Sequence, residues 1–574
     1  MQIILPPKQR SYLSTNFAAS TWTEIQPYFE ELIHREIHNV QALELLITDL
    51  SELEAALHES RAWAYIETKC DTTNPLAMEK FMNFVQNVLP PAIELGQKMV
   101  EKIVNSPYTS QLTEKHYAIY LRLLKNEIEL FRPENIDLGV KEQETSKSYF
   151  QKMASFTIEH EGEELTLQQA VKLMEQPDRI LRQQVWQKIE GVRAKERQQF
   201  HAIYDELIAL RSKISQNAGF DTYTDYAYTA LERFDYQREN VYDFHKTVET
   251  VIKPIYEALL LERKEKLGLT QLRPWDMYIN IVNTDTLLKP FQSGKELIEK
   301  TIDLLAEIRP EMAEPLQLMH NSGFLDVESR IGKAPGGFNY PLAESGLPFI
   351  FMNAAGSQSD ITVMLHESGH AIHAYLDRNI SITRLKNPPI EVAELASMTM
   401  ELISMDYYSI FYEEEAECNM AKKEQLLRTL MVFQWIATVD AFQHWVYDHP
   451  QHTHTERGQK WKELYVRFHG NNLDWTGFEQ ELEHLWMKQI HIFEHPFYYI
   501  EYAFSQLGAI AVWRNYQQNP QAAIDNYLAA LRLGYTKTLP EIYQTAGIAF
   551  NFSPEYVKPL IDFCYQKYQQ IGNE

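Results

Sequence analysis

The segment His366-Glu367-Ser368-Gly369-His370 combines residue types that can bind zinc and activate water. Two histidines four positions apart on a helix share one face and lie about 6 Å apart along its axis, so both imidazoles can reach one ion at ~2.1 Å. Glu367 follows the first histidine directly, so its carboxylate can approach water at the ion without binding the metal. The pattern predicts a hydrolytic zinc site with Glu367 as general base. Gly369 allows a neighbouring backbone to approach the helix closely.

The five-residue motif can arise by chance, so it is not sufficient evidence by itself. A zinc site also requires a third protein ligand. His373 lies seven residues after His366, but a rise of about 10 Å along the helix is too large for one ion. We therefore predict a supporting role for His373. The segment Ile390–Glu401 follows two prolines and is predicted to be a helix. On spacing alone its residues Glu391 and Glu394 are nearly equal candidates for the third ligand. Glu391 lies near the helix start, where an acid often only interacts favourably with the helix dipole.

The elements around the motif are mainly helical. Apolar residues recur at three- and four-residue spacing, as in Tyr28–Ala64 and Met78–Ile103, which is typical of amphipathic helices. The helix that carries the motif is expected to open at Ser359-Asp360 and to run to about Leu376. Alternating residues on both sides of Gly162 predict a short hairpin.

A loop and a strand are expected just before the motif helix. Glycines and prolines in residues 332–341 oppose helix formation, and Phe349–Met352 is a short apolar run of strand type. We divide the chain near the predicted hairpin into an N-terminal helical region, residues 1–165, and a catalytic region, residues 166–574.

Composition excludes several classes of protein. The 574 residues are 45% hydrophobic and carry a formal net charge of −25, which disfavours nucleic acid and anionic membrane surfaces as partners. No apolar run approaches the ~20 residues of a membrane span, and residues 1–8 lack a leader pattern. The odd, widely spaced cysteines Cys70, Cys418 and Cys564 predict reduced thiols. We expect a cytoplasmic monomer.

The sequence resembles the thimet oligopeptidase and oligoendopeptidase F family of zinc metallopeptidases, especially the bacterial oligoendopeptidase F branch. The likeness spans about residues 330–510. It rests on five segments: residues 335–337, 348–353, 366–373, 394–401 and 495–502. It implies a mainly α, zincin-type fold with a small β-sheet beside the active site and a deep substrate channel between the two halves.

The resemblance also implies individual roles. Glu394 becomes the third ligand of one zinc ion, and Glu401 becomes the acceptor that orients a ligand histidine. The strand Phe349–Asn353 is implied to pair with the backbone of a bound peptide. Substrate contacts are implied for four residues of the loop and strand: Gly336, Gly337, Phe351 and Asn353.

The segment His495–Tyr502 offers further hydrogen-bond donors. Tyr499 and Tyr502 are three positions apart, on one helical face, and Tyr498 lies close by. One interpretation is that these are amphipathic core residues. The resemblance implies instead that His495 and the tyrosines stabilise the negative oxygen formed during peptide hydrolysis. The spacing from histidine to tyrosine is shorter than in the thimet branch, so the resemblance does not single out one tyrosine. We favour Tyr502 and then Tyr499.

The predicted function is zinc-dependent hydrolysis of internal bonds in short peptides. A zinc carboxypeptidase or dipeptidyl carboxypeptidase is one alternative, and it would need a cationic group to hold the substrate C-terminus. A peptide-binding protein with a structural metal is another, and it would usually need a fourth protein ligand.

Overall fold

The computed structural model describes residues 10–282 and 288–572. Helix accounts for 70% and strand for 4%, so the predicted mainly α class is confirmed. Residues 1–8, which lack a leader pattern, fall outside these ranges. Within them, no helix has both the length and the apolar character that a membrane span requires.

The helices are connected by short turns and loops. Up to residue 282 they are α1 (Trp22–His34), α2 (Val40–Cys70), α3 (Pro75–Asn83), α4 (Leu89–Val104), α5 (Lys115–Leu130), α6 (Asn135–Ala154), α7 (Leu167–Met174), α8 (Arg179–Lys195), α9 (Arg197–Ala218), α10 (Tyr223–Ala230), α11 (Arg238–Thr247) and α12 (Lys253–Lys266). From residue 288 onward they are α13 (Gly294–Ile308), α14 (Pro310–Ser322), α15 (Gln358–Leu376), α16 (Ile390–Ile403), α17 (Glu415–Met431), α18 (Phe433–Asp448), α19 (His454–His469), α20 (Glu479–Glu483), α21 (Ile490–Glu494), α22 (Glu501–Gln518), α23 (Pro520–Leu531), α24 (Leu539–Thr545) and α25 (Pro554–Gln570). The strands are β1 (Thr157–His160), β2 (Glu163–Thr166), β3 (Leu325–Glu328), β4 (Phe338–Tyr340) and β5 (Phe349–Ala354).

The chain forms two compact units, each assembled from three stretches. The first unit comprises residues 1–128, 288–421 and 508–550. The second comprises residues 129–287, 422–507 and 551–574. The division predicted between residues 165 and 166 stays a prediction.

In the second unit, the predicted hairpin is confirmed. Strands β1 and β2 pair antiparallel, and Glu161 and Gly162 both have positive φ, 55° and 84°. Two successive residues with positive φ are typical of the tight turn that matches the twist of a hairpin. Ile158 of β1 is buried in a cluster that contains Trp186 and Trp275, which attaches the hairpin to the helices.

In the first unit, the predicted strand is β5, the middle strand of a three-stranded sheet in the order β3-β5-β4. It runs parallel to β3 and antiparallel to β4. The preceding loop is attached to this sheet by Lys333, whose ammonium group is buried. It donates hydrogen bonds to the backbone oxygens of Asp326 (2.9 Å) and Met352 (2.5 Å).

The helix with the zinc motif, α15, begins two residues earlier than predicted. Ser357 is its N-cap, and Asp360 is the third helical residue of a capping box whose carboxylate accepts from the Ser357 backbone. The expected opening at Ser359-Asp360 was wrong because Asp360 caps from inside the helix. The predicted end near Leu376 is confirmed.

Helix α16 crosses α15 at Gly369. A Cβ atom built on Gly369 would lie 2.5 Å from the Cα of Ser397 and 2.6 Å from the backbone oxygen of Ala396. No side chain fits at that distance, so the glycine allows the two backbones to touch. This contact brings α16, which carries Glu394 and Glu401, beside the histidines of α15.

Candidate active site

Three side chains of α15 and α16 converge on one point. The Oε2 atom of Glu394 lies 3.4 Å from Nε2 of His366 and 3.9 Å from Nε2 of His370. Tetrahedral zinc with ligands at 2.0–2.2 Å requires donor atoms about 3.4 Å apart. The spacing and the two-histidine, one-carboxylate donor set therefore fit a zinc ion.

Glu401 fixes the orientation of His366. Its Oε1 atom accepts a hydrogen bond from Nδ1 of His366 at 2.7 Å, which leaves Nε2 to face Glu394. Burial alone would lower the pKa of His366, but the hydrogen bond to Glu401 and the nearby carboxylates raise it to about 9. The surroundings of the imidazole thus favour positive charge, as a cation-binding site requires.

Glu394 is held by its own helix. The Ser397 hydroxyl donates to Oε2 of Glu394 at 3.0 Å, and burial raises the pKa of this carboxyl while His366 lowers it. Glu391 is also buried, but the group of donor atoms that could share an ion consists, within the described ranges, of His366, His370 and Glu394. The structure thus separates two acids that spacing could not.

His373 lies one turn beyond the cluster. It is 4% exposed, and burial lowers its pKa to about 4. Its Nε2 atom has no hydrogen-bond partner among the residues that the structure describes. The imidazole is therefore neutral, and it lies outside the group of three donors.

Glu367 has the properties of a base that works near neutral pH. Burial, followed by the charges of Glu394 and Glu401, raises the pKa of its carboxyl to about 7, while His366 opposes the rise. The side-chain amide of Asn339 in β4 donates to the backbone oxygen of Glu367 at 3.2 Å. Strand β4 is thereby attached to α15 at the position of the base.

The sheet limits which backbone groups of β5 could pair with a peptide. Ile350 and Phe351 of β5 already pair with β3 on one side and with β4 on the other. Their backbone groups are therefore paired within the sheet, and β3 and β4 are its two outer strands. Strand β4, which is joined to α15 through Asn339, is a further candidate for pairing with a peptide, and the pairing expected of Phe349–Asn353 stays a prediction.

Among the four residues expected to contact substrate, Gly336 and Gly337 are exposed and Asn353 is half-buried. Phe351 is fully buried and stacks on Phe338 with ring centroids 4.8 Å apart. The Asn353 amide donates to the backbone oxygen of Gly336 at 2.9 Å, and a Cβ on Gly337 would lie 3.3 Å from the Phe351 oxygen. Phe351 and Asn353 thus shape the loop and sheet, and the contacts of all four residues with substrate stay predictions.

The candidate oxyanion donors form a second cluster, in the second unit. The Tyr502 ring lies 5.7 Å from Tyr499 and 5.5 Å from Tyr498, and burial raises the pKa of Tyr499 to about 12. The His495 side chain is 64% exposed, with its ring 6.0 Å from that of Tyr498. Its approach to the metal ligands, like that of the tyrosines, stays a prediction.

Sequence reasoning missed His491, which lies nearer the tyrosines than His495 does. Its ring is 4.6 Å from that of Tyr499 and 6.0 Å from those of Tyr498 and Tyr502. A signal was present, because His491 precedes His495 by four residues in the same segment. It was overlooked because the likeness used for this segment began at His495.

A helix with two histidines and an intervening glutamate, crossed by a helix with a third carboxylate ligand, defines the zinc metallopeptidase class of site. The chain belongs to Peptidase family M3, which matches residues 172–560. The Peptidase M3 N-terminal domain matches residues 14–131. The family resemblance read from the sequence is confirmed.

Known relatives agree with this assignment. Oligopeptidase PepF of Bacillus subtilis is 23% identical over 344 residues, which are 58% of this chain and 49% of the relative. The Oligoendopeptidase F homolog of Borreliella burgdorferi is 23% identical over 304 residues, 50% of this chain and 49% of the relative. The alignments thus span about half the length of these curated relatives.

Solved structures match over nearly the whole chain. The structure of PZ peptidase A with inhibitor 2 is 27% identical, has a TM-score of 0.86, and is covered to 99% by 98% of this chain. Oligoendopeptidase-F from Enterococcus faecium is 15% identical with a TM-score of 0.62, and 96% of this chain covers 97% of it. The second likeness shows the fold alone.

Proposed function

We propose that this chain is a zinc-dependent endopeptidase that hydrolyses internal bonds of short peptides. The observation that carries the proposal is the convergence of His366, His370 and Glu394 within 4.8 Å of one another, with Glu367 next to the first ligand. Membership of Peptidase family M3 supports it, as does the similarity to an oligopeptidase, PepF.

In the proposed reaction, Glu367 of α15 acts as the base and then as the proton donor. His366, His370 and Glu394 would hold the zinc ion, which would supply Lewis-acid chemistry for polarising a peptide carbonyl and lowering the pKa of water. Glu367 accepts the proton of the attacking water and passes it to the departing amine. Glu401 keeps His366 in the tautomer that presents Nε2.

As the peptide bond is attacked, negative charge develops on the carbonyl oxygen, and hydrogen-bond donors are needed to stabilise it. Tyr502 and Tyr499 are proposed for this role, each worth about 3 kcal/mol of transition-state stabilisation in comparable sites. The geometry adds His491 to His495 as a histidine candidate, because its ring lies closer to Tyr499. The outer strand β4 is proposed to receive the peptide backbone.

The finer properties of the enzyme are also proposals. They are a preference for short, flexible peptides over folded proteins, a deep substrate channel, a single zinc ion, no nucleic-acid partner, a monomeric state and a cytoplasmic location. The resemblance, the acidic net charge of −25 and the three-donor cluster support them.

The test is peptide cleavage followed by mass spectrometry of the products, alongside metal analysis. Zinc-loaded protein is expected to cut a nonapeptide internally, whether its C-terminus is free or amidated, and to lose activity with a chelator and regain it with zinc. Cleavage that requires a free C-terminus would indicate a carboxypeptidase instead. No cleavage by zinc-loaded protein would exclude the proposed function.

The variant Glu367→Gln tests the base. It should bind zinc normally and lose roughly 10³-fold in kcat. Glu413→Gln, at an exposed position, is the matched control and should retain full activity. Activity retained by Glu367→Gln would refute the assignment of the base.

A further inference from the structure

The turn that leads into the tyrosines has an unfavourable backbone conformation. Phe497, immediately before Tyr498, has φ 65° and ψ −6°. A bulky residue rarely adopts this left-handed conformation, and it persists only where surrounding contacts impose it. The direction in which Tyr498, Tyr499 and Tyr502 leave this turn therefore depends on whatever holds Phe497.

Side chains from two other elements hold both backbone polar groups of Phe497. Its N–H donates to Oε1 of Gln443 in α18 at 2.9 Å. Its backbone oxygen accepts from Nη2 of Arg233, which follows α10, at 2.5 Å. The ring is fully buried, 5.1 Å from the ring of His444 and 5.6 Å from that of Tyr447.

Arg233 also contacts the other end of the segment formed by residues 497–502, which we call the tyrosine turn. Its Nη2 and Nε atoms donate to Oε1 of Glu501 at 2.9 and 3.3 Å. The two side chains are 0% and 2% exposed, and Glu501 is the first residue of α22, directly before Tyr502. One planar guanidinium thus spans the segment from Phe497 to Glu501.

We propose that Arg233 is the positioning residue for the oxyanion donors Tyr499 and Tyr502. The inference rests on the proposed peptidase function. A guanidinium has several donors in a rigid fork, so it can bond a backbone oxygen and a carboxylate together. A lysine has one nitrogen on a flexible stem and lacks the second contact that Nε of Arg233 makes with Glu501, so it would hold the two ends of the turn less rigidly.

A second buried arginine shows what a purely structural role looks like. Arg263 in α12 is 5% exposed and donates to the backbone oxygens of Asp276 and Ile279 at 3.0 and 2.7 Å. Like Arg233 it is buried and donates to backbone oxygens, but it does so without the carboxylate that Arg233 also binds, and its acceptors lie outside the segment that carries the tyrosines. Arg263→Lys is therefore the matched control.

The test is a double-mutant cycle on zinc-loaded, full-length protein with an internally quenched peptide. Arg233→Lys is made in the unaltered chain and in the Tyr499→Phe/Tyr502→Phe background. Because a shift of about 1 Å in a catalytic group costs ~10²-fold, we expect kcat to fall by about 100-fold in the unaltered chain, with KM nearly unchanged. In the background without the phenols the same change should cost less than about threefold.

A structural role would give a different result. Equal fold losses in both backgrounds, or a loss that Arg263→Lys reproduces, would overturn the inference, as would full activity of Arg233→Lys. If Arg233→Lys does not fold, Glu501→Gln is used in the same cycle, because it keeps the shape and an acceptor oxygen but removes the charge. If the unaltered zinc-loaded chain cleaves no peptide, the proposed function fails, and this inference fails with it.

Discussion

The two units place their candidate catalytic groups by different means. In the first unit, His366 and His370 lie one turn apart on α15, and Glu394 reaches them from α16, which follows soon after in the chain. In the second unit, the tyrosine turn is held by Arg233, whose partner Glu501 is 268 residues away. The geometry of the first site follows from the spacing of residues close in sequence. The geometry of the second depends on contacts between residues far apart in sequence.

This difference has a physical basis. A helix fixes the geometry of residues at i and i+4 by its backbone alone, and a glycine is enough to let a second helix touch it. A short turn with a left-handed residue has no such internal restraint, so buried side chains from other elements must impose its shape. The geometry of the metal-ligand cluster, formed by His366, His370 and Glu394, should therefore depend mostly on these residues and their helices. The geometry of the tyrosine turn should depend on residues that do not contact the substrate.

The strongest test of the metal-ligand cluster compares two glutamates of α16. Glu394→Gln should abolish zinc binding at stoichiometric concentrations and lower kcat/KM by more than ~10³-fold, because a neutral amide replaces a charged ligand. Glu391→Gln should retain one zinc ion and most of the activity. Zinc content and peptide hydrolysis measure both. The reverse result would move the third ligand to Glu391.

For the tyrosine turn, we compare single phenol deletions. Tyr502→Phe should lower kcat by about 10²-fold, with KM nearly unchanged, because the donor acts on charge that exists only in the transition state. Tyr498→Phe should have a smaller effect. Steady-state kinetics on one peptide decide the matter, and a larger loss in Tyr498→Phe would reassign the donor. Unfolding temperatures that match the parent exclude a packing defect.

The same contrast explains how far the sequence could predict this molecule. Helical periodicity predicted the mainly α class, alternation around Gly162 predicted the hairpin, and the two prolines before Ile390 predicted the start of a helix. Each of these features depends on residues close in sequence. The place of Phe349–Met352 within its sheet could not be predicted, since the order β3-β5-β4 depends on which strands meet in space. For His491 a local signal existed, its place four residues before His495, but its contact with Tyr499 could not be predicted from that spacing.

A substitution at Glu401 tests how far zinc affinity depends on a residue that orients a ligand rather than on the ligands themselves. Glu401→Gln keeps an oxygen near Nδ1 of His366 but removes the negative charge, so zinc affinity should fall by about 10- to 100-fold. Competition with a chromogenic chelator measures it, and activity at saturating zinc should fall much less. An unchanged affinity would show that Glu401 does not tune His366.

The smallest expected effect concerns the backbone contact beneath the ligands. Gly369→Ala places a methyl group 2.5 Å from the Cα of Ser397, so α15 and α16 must separate, at a cost of about 1–3 kcal/mol of unfolding free energy. Gly96→Ala in α4 is the control, because its methyl group meets nothing within 4 Å and should stabilise the helix by up to ~1 kcal/mol. Thermal unfolding separates the two. Zinc affinity adds a second readout, because moving α16 withdraws Glu394 from the histidines while the tyrosine turn keeps its own supports. A Gly369→Ala protein as stable as Gly96→Ala, with undiminished zinc affinity, would show that the close contact of the helices does not set the position of the third ligand.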